Sequence, residues 1–342
     1  MIELFVPGRL CLLGEHSDWA GGYRRQNSQL EKGYAIVCPT NQGNYARAKK
    51  INKKVCRFIF KDRTPVEIDL NPQNLLKLAK STDFYNYIAG TLYQISLIQK
   101  NMTGIEIDNY DSTLPIKKGL SSSASICVLV TKAYNALFNL GWTIPQEMEL
   151  AYLGEITTPS RCGRMDQACA YNKPTLMIFD GDELKSTPLQ IKNNLFIVII
   201  DLHASKNTPK ILSALNKGYP FAIEPKDNKK QAVLGIENKK IVMSAVKCLK
   251  TGDLQELGNL MKKSQYNFDQ YLACYCPKEL IAPKLHSILY ESSIQDLMYG
   301  AKGVGSQGDG SAQILARNKD CQLEIIKVLE NKFNVSCFCL DI

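Results

Sequence analysis

An α+β fold is predicted by the order in which apolar patterns occur along this chain. Short apolar runs bounded by turn signals dominate the N-terminal part, and helical periodicity interrupts them late. A further stretch then passes from a buried strand through several helices and back to strands. Runs of strands followed by runs of helices give segregated α+β layers rather than an alternating α/β sheet.

The first strands are read at residues 2–6 (IELFV), 34–38 (YAIVC), 55–60 (VCRFIF), 66–70 (VEIDL) and 104–108 (GIEID). In DFYNYIAGTLYQISLIQ, helical spacing brings Tyr87, Ile88, Thr91, Leu92, Ile95 and Leu97 near one face. SASICVLVTKAYNALFNL continues as an apolar helix that Gly141 is expected to stop. NLFIVIIDL opens the second region as a buried strand. Helical segments follow at about 208–218, 229–250, 253–274 and 279–293, and SAQILA and VSCFCLDI close the chain as strands. Residues 203–230, rich in Lys, Pro, Asn and Gly, are read as a mobile connection or lid. The domain boundary is placed near residue 190, giving domains 1–190 and 191–342.

Composition excludes several classes. With 342 residues, 45% hydrophobic and 22% charged, the chain can bury a sizeable core, which argues against disorder and collagen-like structure. No run approaches the ~20 apolar residues of a membrane span, and the N-terminus lacks a basic region followed by a long apolar segment, so a cytoplasmic chain is expected. The 12 cysteines have no framework spacing and are read as free thiols. Cys274/Cys276 and Cys337/Cys339, with only His286 near either pair, are spaced too closely for the usual structural zinc site. The net charge of +9 favours anionic ligands, but the lysines are scattered and no nucleic-acid-binding pattern accompanies them.

Three segments carry chemistry. In KKGLSSSASICVLV, Gly119 permits a tight turn, and Ser121, Ser122 and Ser123 offer successive N–H groups and hydroxyls at a helix N-terminus. Such a turn can cradle phosphate and ligate a nucleotide's magnesium; it can also be a redundantly capped helix. In PGRLCLLGEHSDWAGG, Arg9, Glu15, His16 and Asp18 cluster around two glycine turns. This suits a polyhydroxyl ligand, with Arg9 facing a phosphoryl group, and equally describes a charged surface loop. In LGEITTPSRCGRMDQACA, Glu155 and Asp166 can divide metal binding and proton acceptance, as phosphoryl transfer requires. GAKGVGSQGDGSAQIL is a glycine-rich turn that leads into a strand, weak on its own as a signal.

Taken in order, these segments resemble the GHMP superfamily of small-molecule kinases, and the GEHSD loop resembles its galactokinase branch. The resemblance spans nearly the whole chain. It implies a ribosomal-S5-like N-terminal domain, a ferredoxin-like C-terminal domain, an active site in the cleft between them, and ATP with Mg2+. It also implies roles: Asp166 and Arg9 as the catalytic pair, Ser123 and Glu155 as metal ligands, and Glu15, His16, Asp18 and Gly163 as contacts to sugar hydroxyls. Tyr85, Lys118, Gly119, Leu120, Ser121, Ser122, Ser123 and Ala124 would bind the nucleotide.

The implied function is an ATP-dependent sugar kinase acting on the anomeric hydroxyl of galactose, a related hexose or a uronic acid. A mevalonate-type alcohol kinase and a catalytically silent sugar sensor are the alternatives. Gln307 and Asp309 stand where galactokinases usually have glycines, Trp19 where they have tyrosine, and their Tyr-Asn-x-Arg-Arg pattern is missing. Arg161 and Arg164 flank Gly163, placed either to meet a substrate carboxylate or to hold Asp166 or Glu155.

Overall fold

A computed structural model describes residues 1–114, 120–160 and 162–342. Lys118, Gly119 and Arg161 therefore lie outside the described residues. The chain divides into two compact units: Met1–Arg9 with Pro39–Lys173, and Leu10–Cys38 with Pro174–Ile342. The expected boundary near residue 190 falls inside the second unit, after a strand ending at Pro188.

Strands β1 (Ile2–Leu13) and β2 (Gly33–Ile51) pair with each other, and each contributes residues to both units. In the first unit, β3 (Val55–Phe60), β4 (Val66–Asp69) and β5 (Gly104–Ser112) extend the sheet in the order β4-β3-β5-β2. β3 is parallel to β5, whereas β4 and β2 are antiparallel to their neighbours. The inward positions Cys56, Phe58, Ile105 and Ile107 are all fully buried. Their period of two follows from the alternation of side chains along a strand.

Helices Asn86–Ile98, Ser122–Phe138 and Ile144–Thr157 pack together in this unit. A Cβ on Gly154 would lie 2.6 Å from the Thr91 Cα, and one on Gly90 would lie 2.3 Å from the Gly154 carbonyl oxygen. The two glycines thus let the helix backbones approach at one point. Ser125, fully buried, donates to the Val6 carbonyl and accepts from Asn44, which ties the start of its helix to β1 and β2.

In the second unit, the start of β2 pairs antiparallel with β6 (Thr175–Asp180), and β6 with β7 (Glu183–Pro188). A separate antiparallel sheet is formed by β8 (Phe196–Asp201), β9 (Met298–Gly303), β10 (Ser311–Ala316) and β11 (Ser336–Asp341), in the order β11-β8-β10-β9. Numbered along the chain, that is fourth, first, third, second, the order of the ferredoxin-like fold. Val198, Ile200, Ile314 and Leu329 lie in its core.

Several local expectations change. β1 continues through Pro7–Gly8–Arg9 to Leu13, so Gly8 is not a turn. The helix of the serine segment ends at Phe138 with Asn139 in the left-handed region, before Gly141 is reached. Leu97 is 55% exposed, because the buried face of its helix is set by Ile88, Leu92 and Ile95. Residues 203–230, read as a mobile connection or lid, hold the helix expected at about 208–218, as Thr208–Asn216, and the start of a further helix, Pro225–Ala232, where a helix was expected only from 229. The segment at 279–293 is broken at Ala282, whose left-handed conformation separates the turn Pro277–Leu280 from the helix Pro283–Leu289. None of the twelve cysteines is in a disulfide.

The Gly154 crossing gives a stability prediction. Gly154→Ala should lower the unfolding free energy by about 1–3 kcal/mol, the usual cost of overpacking a tight contact. Thermal unfolding of the variant against wild type checks this, with an exposed control such as Lys100→Ala expected to change little.

Candidate active site

Arg9 lies on β1, and its backbone N–H donates to the Leu120 carbonyl at 3.2 Å, directly before the serine turn. A Cβ on Gly8 would come within 2.6 Å of that same carbonyl oxygen, so the neighbouring position has to be glycine for this approach. The Arg9 side chain reaches Asp166: Nε donates to Oδ1 at 3.2 Å, and Nη2 contacts the same oxygen. Asp166 opens a 3₁₀ turn (Asp166–Tyr171) whose Ala168, Cys169 and Ala170 are buried, which anchors the carboxylate while leaving it partly accessible.

Ser121 precedes the helix in the left-handed region, at φ 56°, and its side chain makes no capping bond. The redundant-cap reading therefore does not describe these hydroxyls. Left-handed backbone at a non-glycine residue is uncommon and costly, and here it stands at the N-terminus of a helix, where N–H groups and the dipole favour an anion. Ser122 and Ser123 form the first turn, Leu120 and Ala124 are buried beside it, and Ser123 Oγ donates to Glu155 Oε1 at 2.6 Å.

Glu155 is 1% exposed, and its second oxygen accepts from Gln167 Nε2 at 2.9 Å. Burial, and next the nearby charge of Asp166, push its pKa up to about 7, against the hydrogen bonds from Ser123, Cys162 and Gln167. The first unit thus brings Arg9, Asp166, Ser123 and Glu155 together. Gly163 lies in the irregular segment before Asp166. Arg164 pairs with Glu149 at 2.9 Å and stacks over Tyr152, not on Asp166 or Glu155. Tyr85 sits before the helix Asn86–Ile98 and lines an open hollow of about 290 Å³ with Ile68, Asp69, Asn74, Leu78 and Asp83.

Glu15, His16 and Asp18 belong to the second unit. Ser17 Oγ donates to the Tyr34 carbonyl at 2.7 Å, and Asn238 donates to both groups, which pins the loop. His16 is buried, and its Nδ1 accepts from the Trp19 indole at 3.1 Å, so the ring proton lies on Nε2. Burial, reinforced by the charges of Lys206 and Lys302, lowers its pKa to about 3 and keeps it neutral. Nε2 has no hydrogen-bond partner, and His16 borders a cavity of about 30 Å³ that Glu15, Asn238, Asn267 and Gln307 help to line. That is room for about one water. Asp18 accepts from the Trp19 N–H at 2.9 Å.

Residues that the sequence reading left without a role complete this part. Lys302, fully buried, contacts Glu15 and donates to the Gly303 carbonyl at 2.8 Å. Lys206 donates to the Gln307 carbonyl at 2.8 Å, and burial lowers its pKa to about 8, with Glu15 opposing the shift. Gln307 spans the glycine-rich turn to the Gly303 carbonyl at 3.2 Å, and Asp309 accepts from the Leu285 N–H at 2.8 Å at a helix N-terminus. Gln307 thus braces the turn from within, and Asp309 ties it to the helix Pro283–Leu289. In sequence, Lys302 was visible in the third motif and Gln167 beside Asp166, but nothing local marked their partners.

No metal-ion cluster of three or more His, Cys, Asp or Glu groups occurs among the described residues, and none of their helices is long and apolar enough to cross a membrane. Residues 86–173 match the GHMP kinases N terminal domain. A galactokinase of Clostridium perfringens (strain 13) is 26% identical over 360 aligned positions that cover 92% of this chain and 85% of the relative. A Lactococcus lactis galactokinase solved with galactose has a TM-score of 0.70 at 20% identity, covering 99% of this chain and 93% of that one. Methanococcus jannaschii mevalonate kinase has a TM-score of 0.72 at 21% identity, covering 100% and 98%. The two solved structures establish the fold.

Glu155 provides a test by pH. Its folded-state pKa lies above the ordinary carboxyl value of 4.5, so its contribution to stability is full below 4.5 and is lost as pH rises through about 7. Across that window the metal-free protein should lose melting temperature relative to Glu155→Gln; His16, whose pKa is lowered, gains stability as pH rises toward 6.5 in both proteins and cancels in the comparison. An unchanged profile would mean that the carboxyl titrates normally.

Proposed function

Because the chain is a GHMP kinase, an ATP-dependent enzyme that phosphorylates an alcohol, we propose that its acceptor is a monosaccharide and that the anomeric hydroxyl receives the γ-phosphoryl group. The observation that carries the chemistry is the Arg9–Asp166 contact. Nε and Nη2 of the guanidinium both meet Oδ1, so Oδ2 is the oxygen left to accept the proton of the attacking hydroxyl. Arg9 holds the carboxylate in one orientation and offers a fixed positive charge as negative charge develops in transfer. The sugar reading is supported by similarity to galactokinases along most of the chain and by the neutral, buried His16, which presents an N–H donor. Glu15, Asp18 and Gly163 are proposed as further hydroxyl contacts.

The serine turn and the hollow beside Tyr85 are proposed to hold ATP, with the helix N-terminus of Ser122–Phe138 toward the phosphates. Ser123 and Glu155 suit Mg2+, a hard ion that takes few protein oxygens and shares its other positions with phosphate and water. The raised pKa of Glu155 agrees with a buried carboxylate whose counter-charge is a cation. When bound, the ion would neutralise phosphate charge. Ser123 and Gln167 orient the carboxylate for it.

The test is ADP release with ATP and Mg2+ against galactose, glucuronate, galacturonate, arabinose, N-acetylhexosamines and mevalonate. Turnover of a sugar is expected, with Asp166→Asn lowering kcat by about 100-fold or more while nucleotide affinity changes little. Near-normal activity in Asp166→Asn removes that residue from proton transfer. Turnover of mevalonate alone makes the chain an alcohol kinase of the same superfamily, and binding of sugar and nucleotide without turnover makes it a sensor.

A further inference from the structure

The charges around Glu15 do not balance. Lys302, fully buried, takes the Glu15 carboxylate as its counter-ion. His16 is neutral, since Nδ1 accepts from Trp19. Lys206 is the second ammonium close enough to Glu15 and His16 to act on both, yet its hydrogen bonds go only to backbone carbonyls, Gln307 at 2.8 Å and Val304 at 3.5 Å. Two ammonium groups thus share one carboxylate.

The other acidic residues near Lys206 are committed elsewhere. Glu279 accepts from the Asn207 N–H and from Lys210, Asp309 from the Leu285 N–H, and Asp201 from the His203 N–H. The site is nonetheless shaped to hold this ammonium. A Cβ on Gly310 would lie 2.6 Å from Lys206 Nζ, so the glycine-rich turn leaves it the space a side chain would fill. Thr208 meets Ser306 at 3.2 Å and fastens the Lys206 segment to the same turn. A half-buried cation that shares its one nearby carboxylate with a second ammonium is costly, and an ammonium has three donors, of which two are spent on carbonyls.

We propose that the acceptor carries an anionic group, a carboxylate or phosphate oxyanion, and that Lys206 receives it next to Glu15 and His16. The proposal rests on the sugar-kinase reading only in taking Glu15 and His16 as acceptor-facing. It gives Lys206 the task of choosing a sugar acid over the matching neutral sugar.

The experiment measures kcat/KM for the pairs galactose and galacturonate, and glucose and glucuronate, with mevalonate as an anionic non-sugar. It compares wild type, Lys206→Gln and Lys206→Arg, with KM for ATP taken in parallel. Wild type should prefer the acid in at least one pair. Lys206→Gln should reduce that preference about 10-fold or more, the value of one charge-assisted hydrogen bond, and Lys206→Arg should retain part of it. Preference for neutral sugars in wild type overturns the proposal. So does a rise in KM for ATP with the acid preference intact, which would assign the ammonium to the nucleotide phosphates. Turnover of mevalonate alone, weakened in Lys206→Gln, supports the anion site while removing the sugar reading. If Lys206→Gln does not fold, calorimetry on wild type decides: tighter binding of galacturonate than galactose supports the proposal, and equal or weaker binding overturns it.

Discussion

The first unit depends on what Arg9 does with both its backbone and its side chain. Its N–H is bonded to the Leu120 carbonyl at the entry to the serine turn, and its guanidinium is held on Asp166, so one residue of β1 joins two segments far apart in sequence. Gly8 leaves the space for the first contact, and the buried 3₁₀ turn after Asp166 fixes the second. Ser123 and Gln167 then take the two oxygens of Glu155. The Gly154 crossing places that residue, since the next position along the helix is fixed by backbone contact.

Buried charge sets the terms in both units. Glu155 is kept from water, and burial together with the nearby charge of Asp166 raises its pKa against its hydrogen bonds. In the second unit, Lys302 and Glu15 neutralise one another, and His16 avoids charge altogether. These solutions leave particular groups prepared for a ligand: an N–H on His16, an ammonium on Lys206, and a carboxylate on Glu155. Within each unit, perturbed buried groups of this kind mark a candidate functional site, because a core built for stability alone avoids them.

Much of this was legible in the sequence where the signal is local. The N-terminal strands follow from apolar runs between turn residues, and β8 and β10 from apolar runs of the same kind. The serine turn, Arg9, Glu155 and Asp166 stood out because their residue types match phosphoryl-transfer chemistry. Long-range effects were not legible. β1 runs past Pro7 and Gly8 because it has a partner strand, and Asn139 rather than Gly141 ends its helix because asparagine can also adopt the left-handed cap. The helix Thr208–Asn216 was legible at about 208–218, whereas the start of Pro225–Ala232 was hidden by a polar composition, although Glu224 caps it. Gln307 and Asp309 looked like defects in a glycine motif until their partners, Gly303 and Leu285, were known. The Lys206 charge depends on three segments at once, which no window of sequence brings together.

The most direct measurement of the central claim is phosphorus–proton correlation NMR of the product formed from ATP, Mg2+ and the preferred sugar. The account predicts a new phosphorus signal coupled to the anomeric proton of the acceptor. Coupling to any other carbon-bound proton, or a product formed only from a non-sugar alcohol, would contradict it.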